Sequence, residues 1–231
     1  MKQKINKIQT IRPVKLAIFD MDGTIADSEK IAQRVTIDFF KTKGIIINKK
    51  EQKDVFGLNW KDLVREILKR NGMEYSQTLK DTLKEKYVRT MKKEVEAIPG
   101  AHDMLIYLKK SLLLALATNS RMREVDIICS KLDFNRFFDL KLARDHVKNA
   151  KPDPEIYLKA ANNFNVKPDE CIVFEDSIVG IKAAKNAGMK CIAITNTYPQ
   201  KFLNTADLII ESYDEKSFKI IKDTFLRGEQ V

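Results

Sequence analysis

The sequence contains a short apolar run, residues 16–19, that is followed by two aspartates, Asp20 and Asp22, and then by Gly23. A short apolar run that ends at a turn is typical of a buried strand in a parallel sheet. Alternate residues of a strand point to the same side, so the two carboxylates can converge at its end. Two acids placed together repel each other unless a cation or phosphate chemistry requires them. The pattern therefore predicts an acidic site at the carboxyl edge of an open α/β sheet, where such folds bind ligands.

Two other interpretations of the Asp-x-Asp-Gly pattern have to be weighed. The pattern can be a simple turn, because Asp and Gly are common turn residues. A calcium loop of the EF-hand type requires Glu at its twelfth position. Counted from Asp20, that position is Ile31, and Gly23 comes too early for the loop glycine. The calcium loop is excluded. The choice between a simple turn and an acidic ligand site depends on the rest of the sequence.

Apolar runs of strand type alternate with helical patterns along most of the chain. The runs predict strands over residues 16–19, 112–117, 171–174, 190–194 and 208–210, with helices over 120–132, 154–164 and 178–187. This alternation predicts an α/β fold, a doubly wound parallel-sheet (Rossmann-like) core. Residues 30–97 show only helical periodicity, which predicts a small helical cap inserted after the first strand. The core would then comprise 1–29 and 98–231, and the cap could cover the active edge as a lid.

Three further groups of polar residues follow predicted strands or precede predicted helices. Thr118 and Asn119 follow the second strand and can present a hydroxyl and free backbone N–H groups to a phosphate. Lys151 precedes a proline-rich helix start and can neutralise phosphoryl oxygens. Glu175 and Asp176 end a buried strand and, with Asp20, offer the oxygen ligands that Mg²⁺ prefers. The four groups together favour a site over a simple turn.

These motifs resemble those of the haloacid dehalogenase superfamily of aspartate-nucleophile phosphohydrolases, over about residues 16–210. The resemblance rests on Asp20-Met-Asp22-Gly-Thr, Thr118, Lys151 and Glu175-Asp176. The nearest subgroup contains β-phosphoglucomutase and the sugar-phosphate phosphatases. The presence of Asp22 favours phosphate chemistry, because the dehalogenases of the superfamily lack that second acid.

The resemblance implies roles for these residues. Asp20 would be the nucleophile that forms an aspartyl-phosphate, and Asp22 would act as the general acid and base. Mg²⁺ would be held by Asp20, by the backbone carbonyl of Asp22 and by Asp176, with Glu175 in support. The phosphate-binding residues would be Thr118, Asn119 and Lys151.

The subclass depends on two positions in the cap. Where β-phosphoglucomutase has a histidine and an arginine, this chain has Ala32 and Trp60, so we expect a phosphatase rather than a mutase. Trp60 and Lys61 are candidates for contacts with the substrate. The predicted function is a Mg²⁺-dependent phosphatase acting on a small phosphorylated metabolite, a sugar phosphate. The alternatives are a phosphohexose mutase and a non-catalytic basic binding protein.

Composition bears on the partners that we expect. The formal net charge is +10, but the lysines are interspersed with acids, as in Lys84-Glu85-Lys86, which is typical of solvated helix faces. We therefore expect no nucleic-acid partner. No apolar run approaches the roughly 20 residues of a membrane span, and the three cysteines form no C-x-x-C pattern. We expect a cytoplasmic monomer with reduced, buried cysteines.

Overall fold

A parallel sheet forms the centre of the computed structural model, which describes residues 13–47, 60–74 and 76–226, apart from the side chains of 60–62. Within these ranges the sheet has six strands in the order β3-β2-β1-β4-β5-β6, and every neighbouring pair is parallel. The strands are β1 (Leu16–Phe19), β2 (Leu113–Ala117), β3 (Leu140–Leu142), β4 (Cys171–Glu175), β5 (Lys190–Ile194) and β6 (Leu208–Ile210).

Helices connect these strands and form the insert after β1. They are α1 (Ser28–Lys41), α2 (Trp60–Arg70), α3 (Gln77–Glu94), α4 (Ala101–Lys109), α5 (Met122–Lys131), α6 (Glu155–Asn163), α7 (Ile178–Asn186) and α8 (Glu215–Phe225). The predicted doubly wound α/β fold is confirmed.

Successive residues of each central strand point to opposite faces of the sheet. In β1, Ala17 and Phe19 belong to one buried apolar cluster, and Leu16 and Ile18 belong to another. The cluster containing Phe19 includes residues of α4, α5 and α8, whereas the other is completed by α6 and α7. Because both faces are covered, the strands consist mainly of apolar residues, as expected for a parallel sheet.

The structure corrects several details of the predicted elements. Strand β2 begins at Leu113, one residue later than predicted, and α5 begins at Met122 rather than at residue 120. Strand β3 and helices α4 and α8 were not predicted. Strand β3 has only three residues, all of them half-buried or buried, and it lies at the edge of the sheet. The central lysine of β3 interrupts the apolar run, whereas β6, which is equally short, is apolar throughout and was predicted.

Helices α1–α3 form the insert that follows β1. In α1, Ile31, Val35 and Phe39 share the buried face, as predicted. Helix α3 begins at a cap in which Ser76 Oγ accepts a hydrogen bond from Leu79 N at 3.1 Å. The two chain segments that enter and leave the insert run side by side, since Asp27 N donates to Glu96 O at 2.9 Å. The division into a core and a cap at residues 30 and 97 stays a prediction.

The three cysteines are buried and none forms a disulfide, which agrees with their predicted place in the core. No helix in the described ranges has both the length and the apolar character needed to cross a membrane.

Candidate active site

Three carboxylates converge at the carboxyl ends of β1 and β4, the two central strands. Asp20 directly follows β1, Glu175 is the last residue of β4, and Asp176 follows it. One oxygen of each lies within 4.8 Å of the others, and all three side chains are buried. The strand register produces this arrangement, because Asp20 N donates to Phe174 O at 2.9 Å and so continues the β1–β4 ladder.

Lys151 is the cation that the described chain places within this acidic cluster. It comes from the loop before α6, and its side chain is only 2% exposed. Its ammonium donates to Asp20 Oδ1 at 2.6 Å, to Glu175 Oε1 at 2.7 Å and to Ala117 O at 2.9 Å. The three donors of the ammonium group are therefore all used, which fixes the position of the charge beside Asp20.

Glu175 is saturated with hydrogen bonds. Its Oε1 accepts from Lys151 and from the Tyr157 hydroxyl at 2.7 Å. Its Oε2 accepts from the backbone N–H groups of Asp176 and Ser177 at 3.1 Å each, and from Ser177 Oγ at 2.8 Å. With both oxygens occupied, Glu175 is suited to hold Lys151 and the β4–α7 turn in place, and its support of a metal ion stays a prediction.

Two glycines allow the backbone to approach these carboxylates closely. A Cβ atom at Gly180, in α7, would collide with the Glu175 carboxylate. Gly23 has φ of +78°, in the left-handed region that favours glycine, and a Cβ there would strike both Asp176 Oδ2 and Thr197 Oγ1. Each position therefore needs a residue without a side chain.

The electrostatic environment distributes charge unevenly within the cluster. Burial raises the pKa of Asp20 well above its usual value, and Lys151 offsets part of that effect. Burial also raises the pKa of Asp176, and the Glu175 and Asp20 carboxylates raise it further. For Glu175, burial acts upward, but Lys151 and the hydrogen bonds outweigh it and lower its pKa. Lys151 and Glu175 thus form a stable ion pair, whereas Asp20 and Asp176 carry charge that lacks sufficient compensation.

Asp22 is held separately from the three clustered carboxylates. Its Oδ1 accepts from Ser28 Oγ at 2.5 Å, and its Oδ2 accepts from Ser120 Oγ at 2.5 Å and from Thr118 Oγ1 at 3.2 Å. Three hydroxyls therefore orient the carboxylate. Such fixed orientation is what a group that moves protons at a reacting atom requires.

The predicted phosphate-binding residues lie together at the same edge of the sheet. Thr118 follows β2, and its hydroxyl donates to Asp22 while accepting from Ser120 N at 3.0 Å. The Asn119 side chain instead holds the main chain of Lys151, because its Oδ1 accepts from Lys151 N at 3.0 Å and its Nδ2 donates to Lys151 O at 3.5 Å. Asn119 therefore positions the lysine through its side chain, so a direct phosphate contact would have to come from its backbone.

The donor set fits a hard divalent cation. Asp20 and Asp176 supply carboxylate oxygens whose charge is undercompensated, and Mg²⁺ binds through oxygen ligands of this kind. Thr24 Oγ1 donates to Asp176 Oδ1 at 3.3 Å. The other carboxylate oxygen, Asp176 Oδ2, faces Gly23. The Asp22 carboxylate is directed to its three hydroxyls, so a ligand from Asp22 would have to be its backbone carbonyl.

The side chains of Trp60 and Lys61, the cap candidates, lie outside the described residues, although the backbone of α2 begins at Trp60. Three residues that contact Asp22 or Glu175 were not predicted as site residues from the sequence: Ser28, Ser120 and Tyr157. Ser120 had a visible signal, since it follows β2 within the same polar turn as Thr118. Tyr157 gave no such signal, because a tyrosine on an apolar helix face is typical of core packing.

Comparison with known proteins identifies similar chains. A family model described as haloacid dehalogenase-like hydrolase matches residues 17–194. The phosphorylated carbohydrates phosphatase of Thermotoga maritima is 32% identical over 181 residues, which cover 78% of this chain and 84% of that protein. The structure of CbbY from Rhodobacter sphaeroides in complex with phosphate is 26% identical, with a TM-score of 0.72 and coverage of 87% and 96%. The β-phosphoglucomutase of Clostridium difficile is also 26% identical, with a TM-score of 0.72 and coverage of 92% and 97%. The family match spans the site from Asp20 to Asp176.

Proposed function

The chain belongs to the haloacid dehalogenase-like hydrolase family and is a phosphoric monoester hydrolase, and we propose that it hydrolyses a small phosphorylated sugar through an aspartyl-phosphate intermediate with Mg²⁺. The observation that carries this proposal is the pairing of two differently held acids. Asp20 is fixed beside the Lys151 ammonium, and Asp22 is fixed by three hydroxyls. The proposal of a sugar substrate is supported by the name of the Thermotoga maritima relative, a phosphatase of phosphorylated carbohydrates.

The first step transfers the phosphoryl group to the enzyme. A carboxylate oxygen of Asp20 forms a bond to phosphorus, and the bond between phosphorus and the sugar oxygen breaks. Asp22 gives its proton to that oxygen, so the sugar leaves as a neutral alcohol. Lys151 and the Thr118 hydroxyl neutralise and orient the phosphoryl oxygens, since this kind of transfer depends mainly on position and countercharge.

The second step releases inorganic phosphate. Asp22, which is now a carboxylate, removes a proton from water as the water oxygen bonds to phosphorus. The bond between phosphorus and Asp20 breaks, which restores the Asp20 carboxylate. The hydroxyls of Ser28, Thr118 and Ser120 keep Asp22 in one place through both proton transfers.

A cation would be held by Asp20, Asp176 and the Asp22 backbone carbonyl. When bound, Mg²⁺ supplies positive charge that offsets the repulsion between the phosphate dianion and the carboxylates. Chelation is expected to remove activity and added Mg²⁺ to restore it. Calcium is expected to substitute poorly, because it prefers looser and higher coordination.

A phosphohexose mutase is the second candidate, and the similarity to a β-phosphoglucomutase structure favours it. A mutase must protect its phospho-enzyme from water until a second sugar hydroxyl arrives. The position that carries the mutase histidine is Ala32 here, a buried residue on α1 with no polar group. We therefore expect free phosphate to be the main product. Incubation with β-glucose 1-phosphate and a trace of the 1,6-bisphosphate tests this, and faster formation of glucose 6-phosphate than of phosphate would establish the mutase.

The nucleophile is tested by Asp20→Asn, because an amide of nearly the same shape is a poor nucleophile. Phosphate release from a panel of sugar phosphates with Mg²⁺ should be abolished, while circular dichroism shows the fold retained. Beryllium fluoride, which mimics an aspartyl-phosphate, should inhibit the unaltered enzyme. Asp38→Asn, on the exposed side of α1, is the matched control and should leave turnover unchanged. Near-normal phosphate release by Asp20→Asn would disprove the mechanism.

A further inference from the structure

Two buried hydroxyls beside the carboxylate cluster have no role in the steps described above. Tyr213 OH and Thr197 Oγ1 are shielded from solvent, and within the described residues neither has a hydrogen-bond partner. A buried hydroxyl without a partner costs about 1–3 kcal/mol. Such groups are uncommon in folded proteins and call for a specific reason. Thr197 lies in the turn after β5, and Tyr213 lies in the turn after β6, so both are at the same edge of the sheet as the site.

Thr197 lies directly against Asp176. A Cβ atom placed on Gly23 would strike both Asp176 Oδ2 and Thr197 Oγ1, so these two oxygen atoms lie close to each other. The Thr197 hydroxyl acts to lower the pKa of Asp176, although no hydrogen bond of ordinary geometry joins the two groups. The hydroxyl is therefore adjacent to the carboxylate oxygen that faces away from Thr24.

Tyr213 follows β6, at the edge of the sheet that carries the cluster. Its ring packs near Phe174, with centroids 6.4 Å apart, and the side chain is 4% exposed. Burial raises the pKa of the phenol, and the carboxylates of Asp176, Asp20 and Glu175 add to this effect in that order. The three carboxylates are therefore near enough to act on the phenol electrostatically.

The turn that carries Tyr213 is fixed by hydrogen bonds. Asp214 Oδ1 accepts from Ser217 N at 2.8 Å and caps α8, and Asp214 Oδ2 accepts from Ser212 Oγ at 2.8 Å. The position of the phenol is therefore set by the fold, and it does not depend on a mobile loop.

We propose that Tyr213 and Thr197 are positioning residues of the metal site, whose hydroxyls donate to Asp176 and to water molecules held beside the cation. This inference rests on the proposed Mg²⁺ dependence. Mg²⁺ dehydrates reluctantly and keeps several waters when it binds to proteins. Waters bridging a protein hydroxyl to a carboxylate give both groups a partner. Partners outside the first ligand shell typically change metal affinity by about 10–100-fold when removed.

The test compares Tyr213→Phe, Thr197→Val and the double variant with the unaltered chain. Each protein is freed of metal with a chelator and titrated with MgCl₂ by calorimetry, and its thermal unfolding is followed with and without Mg²⁺. We expect Tyr213→Phe to weaken Mg²⁺ binding by about tenfold. The metal-free unfolding temperature should be unchanged or slightly higher, because the variant removes an unsatisfied hydroxyl. At saturating Mg²⁺, the KM for substrate should change little.

The matched control is Tyr107→Phe. Tyr107 stacks on Phe218 with centroids 5.7 Å apart, away from the carboxylates, so removal of its hydroxyl should leave Mg²⁺ affinity unchanged. Mg²⁺ affinity of Tyr213→Phe and Thr197→Val within twofold of the unaltered chain would overturn this inference and leave the Mg²⁺ site intact. An absence of Mg²⁺ binding by the unaltered chain would instead overturn the proposed cofactor, and this inference with it.

Discussion

The Lys151 ammonium donates to Asp20 Oδ1 at 2.6 Å, so the proposed phosphate ligand and the proposed nucleophile are hydrogen-bonded to each other. The partnership holds a carboxylate oxygen of Asp20 next to the charge that would receive the phosphoryl group. It also stabilises the fold, because the ammonium bridges Asp20 and Glu175 in a nearly dry interior.

Lys151→Met should impair both stability and turnover. It removes one partner of a buried ion pair and leaves two carboxylates without compensation, which typically costs about 3–5 kcal/mol. Loss of the countercharge should lower kcat by at least about 10²-fold. Urea denaturation and phosphate release measure the two effects. Lys159→Met, which alters an exposed lysine on α6, should change neither by much, and a Lys151→Met enzyme of normal kcat would exclude a role for this lysine in phosphoryl transfer.

Ser120→Ala should lower kcat without affecting the fold. Ser120 Oγ donates to Asp22 Oδ2 at 2.5 Å, and without this bond the carboxylate is less well oriented for proton transfer. We expect kcat to fall by about tenfold, a part of the 10²–10⁴ that general acid–base catalysis contributes. Steady-state kinetics at saturating substrate measures it.

The control for Ser120→Ala is Ser130→Ala, at the exposed end of α5. Both substitutions remove one hydroxyl, but only Ser120 contacts Asp22. Ser120→Thr keeps the hydroxyl and should recover part of the activity. Equal kcat values for the two alanine variants would contradict the orienting role.

Glu29 should make stability dependent on pH. Burial, together with the nearby Asp22 and Asp27 carboxylates, raises the pKa of Glu29 from its usual 4.5 to about 7. The folded chain therefore holds the Glu29 proton more tightly than the unfolded chain does. As the pH rises from about 4.5 to about 7, the unfolded chain loses this proton first, so the free energy of unfolding falls. Above that range the loss of stability is constant.

Glu29→Gln removes that loss. Relative to the unaltered chain, the gain in the free energy of unfolding should be absent near pH 4 and develop between about pH 4.5 and 7. At pH 8 it should reach about 1 kcal/mol, a value that is reduced because solvent reaches part of the Glu29 side chain. Urea denaturation at several pH values measures it. Glu85→Gln, on an exposed part of α3, should show no such pH dependence. The same gain at pH 4 and pH 8 would show that charge is not the cause.

The ion pair between Lys84 and Glu124 should influence substrate affinity. Lys84 on α3 lies 3.2 Å from the buried Glu124 on α5, so this contact joins the helical insert to the helix that follows β2. Lys84→Met leaves the Glu124 carboxylate without compensation, at a cost of about 1 kcal/mol because Lys84 itself is partly exposed. We expect the insert to close less well and KM to rise more than kcat falls.

Steady-state kinetics with the same sugar phosphates checks this prediction. The double variant Lys84→Met/Glu124→Leu, in which neither charge remains, should regain stability. Lys92→Met, on the exposed face of α3, is the control. A change in kcat alone, with KM unchanged, would show that the ion pair does not act through closure of the insert.

The amino-acid sequence was sufficient to predict the fold class and the meeting of four groups of polar residues at one edge of the sheet, whose roles stay predictions. Buried parallel strands read as continuous apolar runs, and the polar residues that follow them have to meet at one edge of the sheet. Helix α8 also had a sequence signal, in the helical spacing of Phe218, Ile221 and Phe225, although it was not predicted. Strand β3 had none, because Leu140–Leu142 includes a lysine and has only three residues.

Only the tertiary structure decided how the site residues divide their work. The sequence placed Asp20, Asp22 and Lys151 near one another by motif, but the hydrogen bonds that separate Asp22 from the buried cluster come from Ser28 and Ser120, which are distant in the chain from one another. Likewise the Asn119 side chain binds the backbone of Lys151, a pairing across 32 positions. Such contacts depend on distances and directions between separate elements, and these are set by packing rather than by local sequence pattern.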